Sequence, residues 1–161
     1  MSNIVEFVRS FVKEKHVNQK RWNGDPYFTH LEAVEKLALE RWLKTFSNAT
    51  TQKIISIIAL SHDICEDIKE FENKEYKVVA IYRKADIHQE IGDLDWVDII
   101  DALRRLNKNR YPNYLDFVLA ARENPYSKIV KIGDLKHNSS DLKHGNMRDK
   151  YLMALYILEN T

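Results

Sequence analysis

The stretch that most restricts this fold is residues 54–60, IISIIAL, followed at 61–67 by SHDICED. A helix that is apolar nearly all round is a central one, walled in by other elements. Its end is an expensive place for His62, Asp63, Glu66 and Asp67, because buried charge is costly unless something compensates it. With residues 52–67 read as one helix at 100° per residue, these four side chains fall within an arc of about 140°. His62 then stands over Glu66 and Asp63 over Asp67, at the four-residue spacing that brings helical side chains together.

The flanking segments supply the walls. Apolar residues recur at steps of three and four along Ile4, Phe7, Val8 and Phe11, and along Leu31, Val34, Leu37, Ala38 and Trp42. The same spacing returns at Trp96, Ile99, Ile100, Leu103 and Leu106, and at Tyr114, Phe117, Val118 and Ala121. It closes with Ile129, Val130 and Ile132, then Met147, Tyr151, Ala154, Leu155 and Leu158. Only 4 glycines and 3 prolines punctuate the chain. Residues 76–82, YKVVAIY, fit a strand or a short helix equally. The polar connections 68–74, 86–95 and 138–145 are candidates for mobile loops beside a site. With no internal repeat and no shift of composition, the expectation is an all-α bundle forming a single domain over residues 1–161.

Charge narrows the partners. The 25 basic and 24 acidic side chains leave a net charge of +1. No one-signed field draws long nucleic acid or an anionic membrane surface, while a local pocket for a small anion remains open. Cys65 is the single cysteine and forms no intrachain disulfide; a buried structural thiol is expected there. The first residues lack the apolar core of a secretory signal, and no run approaches the roughly 20 apolar residues that span a bilayer. A cytoplasmic protein is expected.

Two further segments carry ionisable residues in patterned places. In RWNGDPYFTH, Asn23-Gly24 and Asp25-Pro26 mark a turn, and Thr29 to Glu32 has the form of a capping box. His30 then lies in the first turn of a helix, where the positive dipole end favours a neutral ring, the state in which imidazole binds a metal. In ENPYSKIVKIGDLKHNSSD, Asn124 is the expected N-cap and Pro125 the first helical residue. Asp134, Asn138 and Asp141 form a polar line beside the apolar positions. Taken alone, His30 reads as a surface or capping histidine and Asp134 as part of a solvated face. Together two histidines and two aspartates from these segments offer two imidazoles and two carboxylates, a set suited to a divalent first-row metal, with Mn²⁺ favoured by the carboxylates. His137 is expected to support that set from beside Asn138. His88 and His144 are expected at the surface, Trp42 and Trp96 in the core, and His16 at the end of the first helix, where a cation or polar tip suits the dipole.

These segments resemble the HD-domain metal-dependent phosphohydrolases, and within them the alarmone hydrolase domain of RelA/SpoT proteins and the stand-alone small alarmone hydrolases. The matching stretches are QKRWNGDPYFTHLEAV, ALSHDICED, LRRLNKNRYPNY and KIVKIGDLKHN, in the family's order and over most of the chain. The resemblance implies an all-α fold with metal ligands at His30, His62, Asp63 and Asp134. It puts the carboxylates that handle the attacking water at Glu66 and Asp67, and a site asparagine at Asn138. It sets Arg21 against a guanine base and makes Lys108, Arg148 and Tyr151 ligand contacts. Trp22 departs from the basic residue usual after that arginine in the large enzymes, and Asn23 stands where serine is common.

The activity so implied is hydrolysis of a guanosine 3'-diphosphate alarmone, (p)ppGpp, to GDP or GTP and pyrophosphate. The 161 residues leave no room for the synthetase domain of the long enzymes, so synthesis is not expected. Two alternatives stay open. One is a phosphohydrolase for another nucleotide, since the Trp22 indole stacks on a base but cannot pair with phosphate. The other is a nucleotide-binding module without catalysis.

Overall fold

The computed structural model describes residues 3–44, 48–140, 142 and 145–161. Asp141 and His144 lie outside them. The elements are α1 (Ile4–Lys15), α2 (Tyr27–Leu43), α3 (Ala49–Ser61), α4 (Ile64–Asp67), α5 (Glu75–Ala85), α6 (Asp93–Arg105), α7 (Tyr114–Arg122), α8 (Pro125–Ser140) and α9 (Asn146–Glu159). Short 3-10 turns occupy Lys69–Phe71 and Lys108–Arg110. The fold is all-α, and among the described residues the only β pairing is an isolated bridge between Lys20 and Pro26. Residues 76–82 are helical, within α5. None of the helices is long and apolar enough to cross a membrane, among the described residues.

Asparagines start several helices. Asn3 accepts from the Glu6 amide, Asn48 from Thr50 and Thr51, and Asn113 from Asp116, satisfying backbone donors that have no partner inside the helix. Asn124 likewise accepts from Tyr126 and Ser127, and α8 begins on Pro125 as expected.

α3 is the axis. Every residue from Ile54 to Ser61 is buried, with α1, α2, α6 and α8 packed around it. The main hydrophobic cluster joins α3 to Val8, Leu31, Val34, Val79, Trp96, Ile99 and Val130, and includes Trp42. A second cluster of Val118, Ile132, Leu135, Ala154, Leu155 and Leu158 locks α9 onto α7 and α8. Met147, read as part of the last apolar stripe, is exposed at the start of α9.

Two polar connections expected as mobile loops are pinned by buried anchors. Phe71 is buried within 68–74, and the Asn73 amide donates to the Cys65 carbonyl at 3.1 Å. In 86–95 the Asp86 carboxylate accepts from the amides of Glu90 and Ile91 at 2.9 and 3.0 Å.

Three local departures shape the site. Residues 52–67 are not one helix: α3 begins at Ala49 and stops at Ser61, and α4 starts afresh at Ile64. His62 Nδ1 takes the Ala59 carbonyl at 2.6 Å, and Asp63 turns to φ −104°, ψ −4°. The capping box at Thr29–Glu32 does not form either. α2 starts at Tyr27, whose amide donates to the Gln19 carbonyl at 3.0 Å, while the Thr29 hydroxyl donates to Pro26 O at 2.7 Å. The chain entering across the Lys20–Pro26 bridge thus satisfies the helix start without the box. Finally, α8 lies hard against α2 at Gly133, where a Cβ would come within 3.2 Å of the Val34 carbonyl.

Candidate metal centre

His30 closes the first turn of α2, His62 and Asp63 sit at the break after α3, and Asp134 follows Gly133 on α8. One potential ligand atom from each lies within 4.8 Å of all the others, and all four residues are buried. His30 Nε2 is 3.0 Å from Asp134 Oδ1 and 3.7 Å from Asp63 Oδ2. His62 Nε2 is 3.0 Å from Asp63 Oδ2 and 3.4 Å from Asp134 Oδ1. This group can hold a metal ion.

The hydrogen bonds decide which ring nitrogen faces inward. A carbonyl only accepts, so His62 Nδ1, 2.6 Å from Ala59 O, carries the proton and leaves Nε2 toward the carboxylates. His62 Nε2 is buried without a well-directed hydrogen bond. His137 Nδ1 is 3.0 Å from an Arg21 nitrogen, and a guanidinium only donates. His137 Nδ1 therefore accepts, and His30 Nδ1, 2.7 Å away, must donate to it. Both imidazoles thus turn Nε2 toward Asp63 and Asp134, the orientation that second partners impose on metal-binding histidines.

Carboxylates and rings compete for positive charge here. Burial opposes a charge on His62, but Asp63 and Asp134 outweigh it and raise its pKa well above the ordinary value. Burial would raise Asp63 too, yet the His62 charge pulls it down to about 2. Either a proton or a metal ion answers that demand, and binding the ion releases the proton.

The carboxylates are held from behind. The Tyr27 hydroxyl donates to Asp63. Asp134 accepts from Asn138 Nδ2 at 3.0 Å and from Lys131 Nζ at 2.9 Å. Lys131 is 7% exposed, with its ammonium 4.5 Å from the centroid of the Phe117 ring. Burial works against its charge, and Asp134 more than restores it. Sequence reasoning missed Lys131; its three-residue spacing from Asp134 was the signal.

Glu66 and Asp67 stand beside the group on α4. Burial, reinforced by Asp63, pushes Glu66 up to about 7 and Asp67 up to about 6. Glu66 Oε1 accepts from the Lys108 amide at 2.6 Å, and Asp67 Oδ2 from Gln19 Nε2 at 3.0 Å. Lys108 thereby meets the site through its backbone, while its side chain is exposed.

The expected ligand contacts separate into two sets. The turn at 20–26, with Gly24 at φ 92° and the Asn23 side chain accepting from the Asp25 amide, buries Arg21 against His137 and Asn138. Trp22, the next residue, is 72% exposed and outside the cluster. On α9, Tyr151 is partly buried and its pKa is raised, by burial first and then by Asp134, whereas Lys131 and Arg21 oppose the rise. Arg148, one turn earlier, has a buried Nε without a hydrogen bond.

Cys65 is buried, with its thiol pushed up to about 12 by burial, and His88 is exposed. His16 caps α1 but is no exposed cation: it is 2% exposed, and burial lowers its pKa. No model of a known protein family matches the chain, and a comparison with curated proteins returns no match.

Proposed function

We propose that this chain is an HD-domain type phosphohydrolase that hydrolyses (p)ppGpp at its 3'-diphosphate, releasing pyrophosphate and GDP or GTP. The observation that carries the reading is one constellation: four buried ligand atoms within 4.8 Å of one another, with Glu66 and Asp67 alongside.

The residues fit a divalent ion. Two imidazole Nε2 atoms turn inward, one of them buried without a well-directed hydrogen bond, and two carboxylates supply oxygen. His30, His62, Asp63 and Asp134 would hold it, and this donor set suits Mn²⁺. Such an ion supplies positive charge against phosphoryl oxygens and makes water more acidic.

The chain's own groups do the rest. Glu66 and Asp67, raised toward neutrality, orient the attacking water and take its proton, since a base works best near the operating pH. Asn138 holds Asp134 and touches Arg21, tying the ligand set to the surface where a base would lie. Arg148, Tyr151 and Lys108 face the remainder of the nucleotide.

A second reading, hydrolysis of a different nucleotide, is favoured by Trp22. Its exposed indole, next in the chain to Arg21, offers a stacking face where a phosphate-pairing cation would otherwise stand. The test is anion-exchange analysis of products after incubation with ppGpp and Mn²⁺, beside a chelated control. GDP and pyrophosphate, absent on chelation, are expected. Intact ppGpp beside metal-loaded protein, with turnover in a panel of other nucleotides, would move the assignment to the second reading.

A further inference from the structure

Gln19 belongs to the connection between α1 and the 20–26 turn, tied at both ends. Its amide donates to the His16 carbonyl at 2.9 Å, and its carbonyl accepts from the Tyr27 amide at 3.0 Å. Its side chain bridges two other groups. Oε1 is 2.7 Å from His16 Nδ1, and Nε2 is 3.0 Å from Asp67 Oδ2.

The chemistry of the partners fixes the direction of this bridge. His16 Nε2 is buried and has no hydrogen-bond partner. A proton there would be an orphaned buried donor, so the neutral ring keeps its proton on Nδ1 and donates to Gln19 Oε1. The amide can then present only N–H to Asp67. The His16 ring also stacks on Tyr27, with centroids 5.3 Å apart, and Tyr27 donates to Asp63. One buried ring therefore steadies two carboxylates, Asp63 through Tyr27 and Asp67 through Gln19.

We infer that Gln19 is a positioning residue, which holds the Asp67 carboxylate toward the site through an amide whose orientation His16 locks. Its catalytic consequence rests on the phosphohydrolase reading above; the contact itself does not.

Two measurements test it. In ¹H–¹⁵N spectra of the full chain loaded with diamagnetic Zn²⁺, Asp67→Asn is expected to shift the Gln19 side-chain amide pair and leave that of Asn160 in place. In kinetics with ppGpp and Mn²⁺, Gln19→Leu is expected to lower kcat about tenfold to a hundredfold, with KM within about twofold and metal content unchanged. A Gln19 amide indifferent to Asp67→Asn overturns the contact. An unaltered kcat in Gln19→Leu, given an active wild type, overturns the positioning role. A wild type inert toward ppGpp refutes the substrate reading instead, and the spectra alone then decide whether Gln19 holds Asp67.

Discussion

Two clusters of buried polar groups lie beside α4, one reaching it through Asn73 at the Cys65 carbonyl and one at Asp63, and they resolve their charge differently. At one, Glu75 is 0% exposed, with Arg110 Nε 2.6 Å from Oε1 and Asn107 Nδ2 3.2 Å from Oε2. Asn107 and Arg110 also hold the Asn73 side chain and carbonyl, each at 2.8 Å. One carboxylate meets one guanidinium, and the local charge closes. At the other, Asp63 and Asp134 share a single lysine, Lys131, and the hydroxyl that supports Asp63 is neutral. The negative charge left over draws a proton onto His62, a demand that a metal ion could answer instead. Buried charge therefore marks no site by itself; what sets the second cluster apart is charge that either a proton or an ion can close.

The sharpest break of this contrast is Asp63→Ala. It should abolish metal retention and turnover together, a loss in metal affinity beyond about 100-fold, read by elemental analysis after gel filtration and by product release. Retained metal with wild-type turnover would place the open charge elsewhere. Glu75→Ala should do the reverse. It leaves the Arg110 charge without its partner and should cost about 3 kcal/mol in urea unfolding, the low end for a broken buried pair, since the Arg110 side chain is 34% exposed. Its metal content should match wild type. Chelation should cost the wild type about 2.7 kcal/mol relative to protein held at 100 times the dissociation constant, measured by thermal melts, and should leave Asp63→Ala unmoved. The smallest effect concerns Cys65, on α4 beside the Glu75 cluster. Its thiol, up to about 12, should react with iodoacetamide at pH 8 at least about tenfold slower than in unfolded chain, where thiols lie near 8.5.

The fold class was legible because spacing by three and four is a local property, and few glycines or prolines interrupt it. Where the helices stop was less so. The apolar run 54–60 carries no break signal, and the stop after Ser61 depends on a side chain, His62, turning back onto Ala59. The four residues that could hold an ion each stand in a patterned segment, which is why the sequence pointed to them. The histidine tautomers could not be read there, since His30 is set by His137, 107 residues away. The Glu75–Arg110 pairing spans 35 residues and follows no motif. His16 read as a helix-end cation because the helix dipole is visible in sequence, whereas the α2 residue Tyr27 that stacks on it is not.

Gly133 has a last consequence. It lets the main chain of α8 seat against the carbonyl of Val34, so the gap between His30 and Asp134 is gauged by backbone on backbone. Any side chain at 133 would have to wedge α8 off α2 and carry the Asp134 backbone away from that of His30.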